Sequence, residues 1–340
     1  MLRLPNFEVR TPERLDEAVA LLAELGEGAR VIAGGTDLVP NMKHELFTPR
    51  VLVSLARLPE LRGIGDAGPG WLRIGAMTSL ADVAADARVE QHAPALAQAA
   101  GLVAGPQLRT MGTLGGNVLL DTRCQWYNQT YFWREALGFC LKKDGTLCHV
   151  VEGGSKCVAA ASNDTAPALM TVRAELVFAG PDGRRVTPID DLWIADGIAN
   201  KKCGRDEILV EVRLPHSGSG HRGAYGKLRD RGSIDFPLLG VAVKLELNTE
   251  DAVADADVVL TALQARPVRI KRASELLRGV RIGTEAFLAA ARGVAEQAHK
   301  QAHPMPNIPG DADWRRAMVP VYVRRTLEAA ATRAGPVHAV

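Results

Sequence analysis

The chain has 340 residues, of which 47% are hydrophobic and 24% charged, proportions typical of a soluble globular protein with two or three domain cores. Its 41 basic and 39 acidic residues leave a formal net charge of +2 and are mixed along the sequence, which excludes the basic footprint of a nucleic-acid-binding or membrane-surface protein. The N-terminus has no apolar signal region, and no segment approaches the roughly 20 apolar residues that span a bilayer, so we expect a cytoplasmic protein.

The first half of the chain alternates between helix and strand signals. We expect a first helix that is capped by Thr11-Pro12-Glu13, carries apolar residues at helical spacing from Leu15 to Leu25, and ends at Gly26. Short apolar runs predict strands at 31–33, 51–55 and 72–76, and a longer periodic run predicts a helix at 92–103. This alternation predicts an α/β or α+β fold for the first half.

The second half contains a candidate domain boundary. Strands are expected at 174–179 and 185–186, paired across the turn sequence Pro181-Asp182-Gly183, and a further strand at 208–214. The polar segment HSGSGHRG, residues 216–223, is typical of a linker between domains.

The segment after this linker changes from strands to helices. Strands are expected at 242–247 and 258–263, and Ala-rich helices at 284–302 and 314–331. Thr284 suits a helix N-cap, and Pro320 is expected to kink or delay the last helix. Strands followed by helices indicate a second domain of the α+β class.

Two glycine motifs are candidate binding loops. In VIAGGTDL, a strand leads into Gly34 and Gly35, where the missing side chains let backbone N–H groups approach an anion, and Thr36 and Asp37 can add hydrogen bonds. A plain turn is the alternative, because such turns are commoner than binding loops. The second motif, RTMGTLGGNVLL, is neither a Rossmann fingerprint nor a Walker motif, so a nucleotide would be held in another way.

Four of the five cysteines lie between Cys124 and Cys157, together with six of the chain's aromatic residues. Cytoplasmic thiols stay reduced, which favours metal binding or redox chemistry over disulfides. The spacing lacks a CxxC pair and fits zinc or an iron–sulfur cluster equally well, with unliganded thiols as a third possibility and His149 as a competing ligand. The aromatic residues could shield a cofactor or dock a partner. The fifth thiol, Cys203, is expected to be an ordinary cysteine without a metal-binding or redox role.

Several motifs in a fixed order resemble the flavin-binding medium subunit of the xanthine dehydrogenase and carbon monoxide dehydrogenase family. They are VIAGGTDL, GTLGGNVLL, SNDTAPALM, EILVEVRLP and LTALQARPVRIKRASELLRG. The resemblance implies an α+β chain: an FAD-binding domain at 1–216, made of two α+β subdomains of the vanillyl-alcohol oxidase type at about 1–55 and 56–216, and an α+β domain at 221–331 like the CO dehydrogenase flavoprotein C-terminal domain.

The same resemblance implies contacts with FAD from both glycine motifs, the Ser-Asn-Asp motif and two later strands. The implied residues are Val31, Ile32, Ala33, Gly34, Gly35, Thr36, Asp37, Leu38, Thr113, Gly115, Gly116, Asn117, Leu119, Asp164, Leu209 and Lys227. Lys227 is either a cation that stabilises a reduced, anionic flavin or a solvated surface lysine. No residue of this chain is expected to be an acid–base catalyst.

Residues 122–161 intervene where the xanthine dehydrogenase type passes almost directly from the GGN motif to the Ser-Asp motif. Within this insertion, DTRCQWYNQ, GFCLKKDGTLCHV and the last cysteine resemble the insertion of the 4-hydroxybenzoyl-CoA reductase branch of the family. That resemblance implies that Cys124, Cys140, Cys148 and Cys157 ligate a [4Fe-4S] cluster.

The implied function is electron transfer. Electrons from a ferredoxin-like donor would pass through [4Fe-4S] and FAD to a small [2Fe-2S] subunit and a large molybdenum-cofactor subunit, which removes the phenolic hydroxyl of 4-hydroxybenzoyl-CoA. The implied assembly is a dimer of heterotrimers. Two alternatives stay open: the FAD subunit of a xanthine-dehydrogenase-type hydroxylase, and a zinc-stapled scaffold without redox function.

Overall fold

The computed structural model describes residues 2–338, and its first subdomain is a small parallel sheet with two helices. The apolar face of the first helix is buried against this sheet and the neighbouring subdomain. The strand order is β1-β3-β2. The elements are β1 (Glu8–Arg10), α1 (Leu15–Leu25), β2 (Ala29–Ile32), α2 (Leu38–Lys43) and β3 (Val51–Ser54).

The second subdomain is an antiparallel sheet covered by short helices, with strand order β4-β5-β8-β6-β7. Its first part comprises β4 (Ile64–Asp66), β5 (Trp71–Gly75), α3 (Leu80–Ala85), α4 (Ala87–His92), α5 (Pro94–Leu102), α6 (Pro106–Met111) and α7 (Leu114–Val118). After the insertion, which carries α8 (Tyr131–Ala136), follow α9 (Thr165–Thr171), β6 (Glu175–Gly180), β7 (Gly183–Pro188) and β8 (Ile208–Pro215).

The C-terminal part packs two long helices on a third sheet, whose order is β12-β11-β10-β9-β13. Its strands are β9 (His221–Leu228), β10 (Leu239–Leu247), β11 (Val253–Thr261), β12 (Val268–Arg269) and β13 (Val337–His338), and its helices are α10 (Ala273–Leu277), α11 (Glu285–Gln301) and α12 (Ala312–Thr332). The predicted order of strands before the long helices is confirmed. Thr284 caps α11, because its hydroxyl accepts the N–H of Phe287 at 3.2 Å.

Some local predictions were wrong. The first helix begins at Leu15 after Arg14, which provides no side-chain cap, so Thr11 is not the N-cap. The helix expected at 92–103 is confirmed as α5 (Pro94–Leu102), although its start lies two residues later, because His92 ends α4 and Ala93 leaves the helical conformation. Strand β9 begins inside the predicted linker, and α12 continues through Pro320. Tertiary packing overrides weak local signals at these positions.

The insertion leaves and rejoins the second subdomain through a narrow neck. Arg123 and Ala160 pair as in an antiparallel sheet, with two N–H···O bonds of 2.8 Å. The intervening residues therefore form one excursion from the second subdomain. Across residues 2–338, none of the helices combines the length and hydropathy needed to cross a membrane.

Candidate functional site

The two glycine motifs meet backbone to backbone. A methyl carbon placed on Gly34 would lie 1.7 Å from the carbonyl oxygen of Met111, and one placed on Gly112 would lie 3.4 Å from Thr36 Oγ1. Gly35 has a φ of +71°, a conformation that side chains rarely adopt. The arrangement of the first loop therefore requires glycine at 34 and 35, and the structure brings the two predicted motifs together.

The first loop offers unpaired backbone donors. Residues 31–38 are all half-buried. Within the described chain, the N–H groups of residues 34–38 have no hydrogen-bond acceptor. A run of free N–H groups after a strand and at the start of α2 is an arrangement suited to an anion such as a pyrophosphate.

In the second loop, the N–H groups of the two adjacent glycines already have hydrogen-bond acceptors within the chain. Gly115 N–H donates to Ala76 O at 2.8 Å, and Gly116 N–H donates to Thr113 Oγ1 at 3.1 Å, which makes Thr113 the N-cap of α7. A methyl carbon on Gly115 would lie 2.8 Å from Ala76 Cβ. This loop therefore supplies a close-packed wall, whereas the free donors lie on the first loop.

Hydrogen bonds join the GGN motif to the Ser-Asn-Asp motif. Asn117 Oδ1 accepts the N–H and hydroxyl of Thr165 at 3.0 and 2.7 Å, and Asn163 Nδ2 donates to Val118 O at 3.1 Å. Leu119 packs on the edge of the subdomain core, and Leu209 lies within it. The insertion thus separates in sequence two motifs that remain in contact in the fold.

Asp164 and Lys227 form a buried ion pair. Lys227 Nζ lies 2.9 Å from Asp164 Oδ2 and donates to Leu102 O at 3.0 Å, while the Tyr225 hydroxyl donates to Asp164 Oδ1 at 2.8 Å. Burial raises the pKa of Asp164, and the charge of Lys227 opposes that shift. The alternative of a surface lysine is wrong, because the Lys227 side chain is 0% exposed.

Arg123 connects the neck of the insertion to the first glycine loop. Its Nη1 lies 2.9 Å from Asp37 Oδ1, and its guanidinium stacks 4.2 Å from the ring centre of Phe236. Burial raises the pKa of Asp37, and the charge of Arg123 opposes this shift. The two candidate sites are therefore linked directly through this ion pair.

All four clustered cysteines line one small cavity of about 20 Å³. Cys124, Cys140 and Cys157 are buried and Cys148 is half-buried, whereas Cys203 lies elsewhere. Burial raises the pKa of Cys124 to about 11, so its metal-free thiol is protonated at neutral pH and metal binding must displace the proton. In residues 2–338, no three His, Cys, Asp or Glu side chains converge closely enough to hold a single metal ion.

Aromatic residues form the outer side of this cavity. Trp126 and His149 both line it, with ring centres 5.4 Å apart, and Trp133 lies 6.0 Å beyond Trp126. His149 Nε2 lies 2.5 Å from Phe139 O, and because a carbonyl oxygen can only accept, this nitrogen donates the hydrogen bond. Phe132 is 80% exposed and does not cover the cavity.

Three polar side chains hold the insertion against the rest of the chain. Arg134, which is buried, donates to the carbonyls of His44 and Glu45 at 3.3 and 3.2 Å, at the end of α2. Lys142 donates a hydrogen bond to Asp121 of the second subdomain, and Asn307 of the C-terminal part donates one to Val158 O. The insertion that carries the cysteine cavity therefore contacts all three parts of the chain.

Sequence reasoning missed Tyr225, Arg123, Arg134 and Lys142. Tyr225 was recoverable, because strand alternation places it on the same face as Lys227 two residues later. Arg123 and Lys142 lie in irregular backbone and Arg134 lies in the short helix α8, where periodicity carries little signal.

Known proteins share this architecture over almost the whole chain. Residues 5–217 match the family described as FAD binding domain in molybdopterin dehydrogenase, and residues 223–330 match the CO dehydrogenase flavoprotein C-terminal domain. The carbon monoxide dehydrogenase medium chain of Hydrogenophaga pseudoflava is 32% identical over 97% of this chain and 98% of its own. The chain is an FAD-binding medium subunit of the xanthine and CO dehydrogenase family.

Further relatives agree with this assignment. The aldehyde oxidoreductase FAD-binding subunit of Escherichia coli is 32% identical to the medium subunit described here, over 83% of this chain and 89% of the relative. A solved structure of the CO dehydrogenase from Hydrogenophaga pseudoflava that lacks the Mo-pyranopterin moiety has a TM-score of 0.78 and 31% identity, and covers 98% of this chain and 99% of that one. The medium subunit is therefore an FAD-binding oxidoreductase subunit of the molybdenum hydroxylase type, with the predicted α+β fold.

Proposed function

We propose that this medium subunit is the flavin and iron–sulfur subunit of a molybdenum-dependent 4-hydroxybenzoyl-CoA reductase. Four cysteines lining one cavity beside the flavin loops carry the proposal. Medium subunits of this family typically lack a [4Fe-4S] cluster, so such a site would set this chain apart from its relatives.

The arrangement of the four donor side chains fits a [4Fe-4S] cluster better than a single ion. A zinc site needs all four sulfurs about 2.3 Å from one point, and the described residues contain no such convergence of ligands. In a [4Fe-4S] cluster each thiolate binds a different iron, so the four sulfurs need not converge. The proposed ligands are Cys124, Cys140, Cys148 and Cys157.

The residues of this chain would bind and insulate the cofactors. The free N–H groups of residues 34–38 would hold the FAD pyrophosphate, and the wall formed by Gly115 and Gly116 would face it. The buried pair of Asp164 and Lys227 would fix the polar side of the flavin site. When bound, FAD would exchange electrons singly or in pairs and the cluster would exchange them one at a time, whereas zinc exchanges none.

The proposed assembly is cytoplasmic and has two further subunits. Electrons from a ferredoxin-like donor would enter at this chain and reach a small [2Fe-2S] subunit and a large molybdenum subunit, in a dimer of heterotrimers. There, two electrons and two protons would convert 4-hydroxybenzoyl-CoA into benzoyl-CoA and water. No side chain of the medium subunit acts as an acid or base in that step.

A second candidate function is supported by the relatives themselves. The CO dehydrogenase and aldehyde oxidoreductase subunits share about a third of their aligned residues with this chain. An FAD subunit of a hydroxylase would pass electrons outward from its flavin and would need no cluster.

An assay of the complete complex distinguishes the two functions. The complex is purified without oxygen and supplied either with 4-hydroxybenzoyl-CoA and reduced ferredoxin or with xanthine or an aldehyde and an electron acceptor. We expect benzoyl-CoA to form in the first mixture and no oxidised product in the second. Hydroxylated product without benzoyl-CoA would establish the hydroxylase instead.

A further inference from the structure

Lys142 is an unusually well-fixed cation at the wall of the cysteine cavity. Its ammonium donates to Asp121 Oδ1 at 2.9 Å, to Gly197 O at 2.8 Å and to Thr122 O at 3.2 Å, and it also contacts the Thr122 hydroxyl. It lies 4.6 Å from the ring centre of Tyr127, which also lines the cavity. These contacts hold one positive charge in a defined place.

The cavity contains no second charge of this kind. Among the described residues, Lys142 is the only lysine, arginine or carboxylate side chain that lines it. Its partner Asp121 does not line the cavity, and the side chains of Lys142 and Asp121 are 5% and 26% exposed. Solvent therefore screens the carboxylate more than the ammonium, and the ammonium belongs to the residue on the cavity side.

We propose that Lys142 is a positioning residue that offsets the negative charge of a thiolate-bound iron–sulfur cluster and raises its reduction potential. This inference rests on the proposed function. Reduction adds an electron to a group that is already anionic, and a nearby buried cation stabilises the reduced form more than the oxidised form. The same side chain donates hydrogen bonds to Asp121 and Thr122, which directly follow the GGNVLL motif, so it fixes the cavity wall next to the second subdomain.

The loop that contains Gly197 packs closely against the cavity wall. A methyl carbon on Gly197 would lie 2.7 Å from Cys157 Sγ, and Gly197 O is one of the acceptors of the Lys142 ammonium. The lysine thus holds in place the segment that packs directly on one proposed ligand. Loss of the ammonium would also leave buried acceptors without their donor.

The test compares variants of the full chain in the complete complex. Lys142→Met removes the charge, Lys142→Arg keeps it, and Lys143→Met is the matched control, because Lys143 pairs with Asp144 and does not line the cavity. Iron, acid-labile sulfide and FAD are measured per chain, and the cluster is titrated potentiometrically with detection by electron paramagnetic resonance.

We expect Lys142→Met to keep FAD and to shift the cluster midpoint to a more negative potential, with Lys142→Arg and Lys143→Met close to wild type. If Lys142→Met does not assemble the cluster, Lys142→Gln, which keeps an N–H donor without the charge, is titrated for the same shift. An unchanged midpoint in an iron-containing neutral variant overturns the role of Lys142 alone. Wild-type protein without iron overturns the proposed function itself.

Discussion

The flavin loops and the cysteine cavity lie side by side but are held together by different forces. The loops meet through backbone atoms, with Gly34 against the Met111 carbonyl and a row of free N–H groups at 34–38. The cavity is held by the side chains of Arg134 and Lys142, which reach different parts of the chain. A backbone-built site needs glycine at fixed positions and is shared by a family, whereas a site on an insertion can be added without disturbing it.

The largest loss of stability is expected from breaking the buried ion pair of Asp164 and Lys227. Lys227→Met would leave Asp164 charged and buried, which we expect to cost about 3–5 kcal/mol of unfolding free energy. Denaturant unfolding measures this loss. The double variant Lys227→Met with Asp164→Asn should lose less than the sum of the single variants, and strict additivity would contradict a coupled pair.

A substitution at the contact between the loops should separate flavin binding from iron binding. Gly34→Ala would force its methyl group against the Met111 carbonyl, and we expect FAD to be lost with a destabilisation of about 3 kcal/mol. Flavin absorbance per chain and denaturant unfolding measure both effects. Gly65→Ala is the control, because its methyl group would meet open space. Normal FAD content in Gly34→Ala would show that the loops do not form the flavin site.

A smaller effect, confined to the insertion, is expected at Arg134. Arg134→Met removes buried hydrogen bonds to the His44 and Glu45 carbonyls and should cost about 2 kcal/mol, chiefly as easier local opening. Limited proteolysis within 124–157 should accelerate while FAD content stays constant. Arg57→Met, which removes an exposed ion pair with Glu13, should leave the cleavage rate unchanged. Equal cleavage of both variants would mean that Arg134 does not anchor the insertion.

Sequence predicted the elements whose signals are local and strong. The hairpin across residues 181–183, the Thr284 cap and the burial of one face of α1 follow from turn chemistry, capping and periodicity. The contact between Gly34 and Met111 did not follow, because it depends on how two distant loops fold back on each other. The early start of β9 was hidden by glycine and histidine, which are weak strand formers.

The sequence predicted the two candidate sites in different degrees of detail. The glycine motifs indicated anion-binding loops, and their resemblance to a family indicated FAD. The cysteine spacing left zinc and iron–sulfur equally open, and the structure added the shared cavity and the protonated Nε2 of His149. Lys227 could not be placed from sequence, since a lysine in a strand is usually exposed and only the fold supplies the buried partner, Asp164.

The most direct test of the proposed cluster is its composition in protein purified without oxygen. Iron, acid-labile sulfide, zinc and FAD are measured per chain, with a visible spectrum, for wild type, Cys140→Ala and Cys203→Ala. We expect about four irons, about four sulfides and one FAD in wild type and in Cys203→Ala, and FAD without an intact cluster in Cys140→Ala. Zinc in place of iron, or iron that is lost with Cys203 and kept without Cys140, would contradict the assignment.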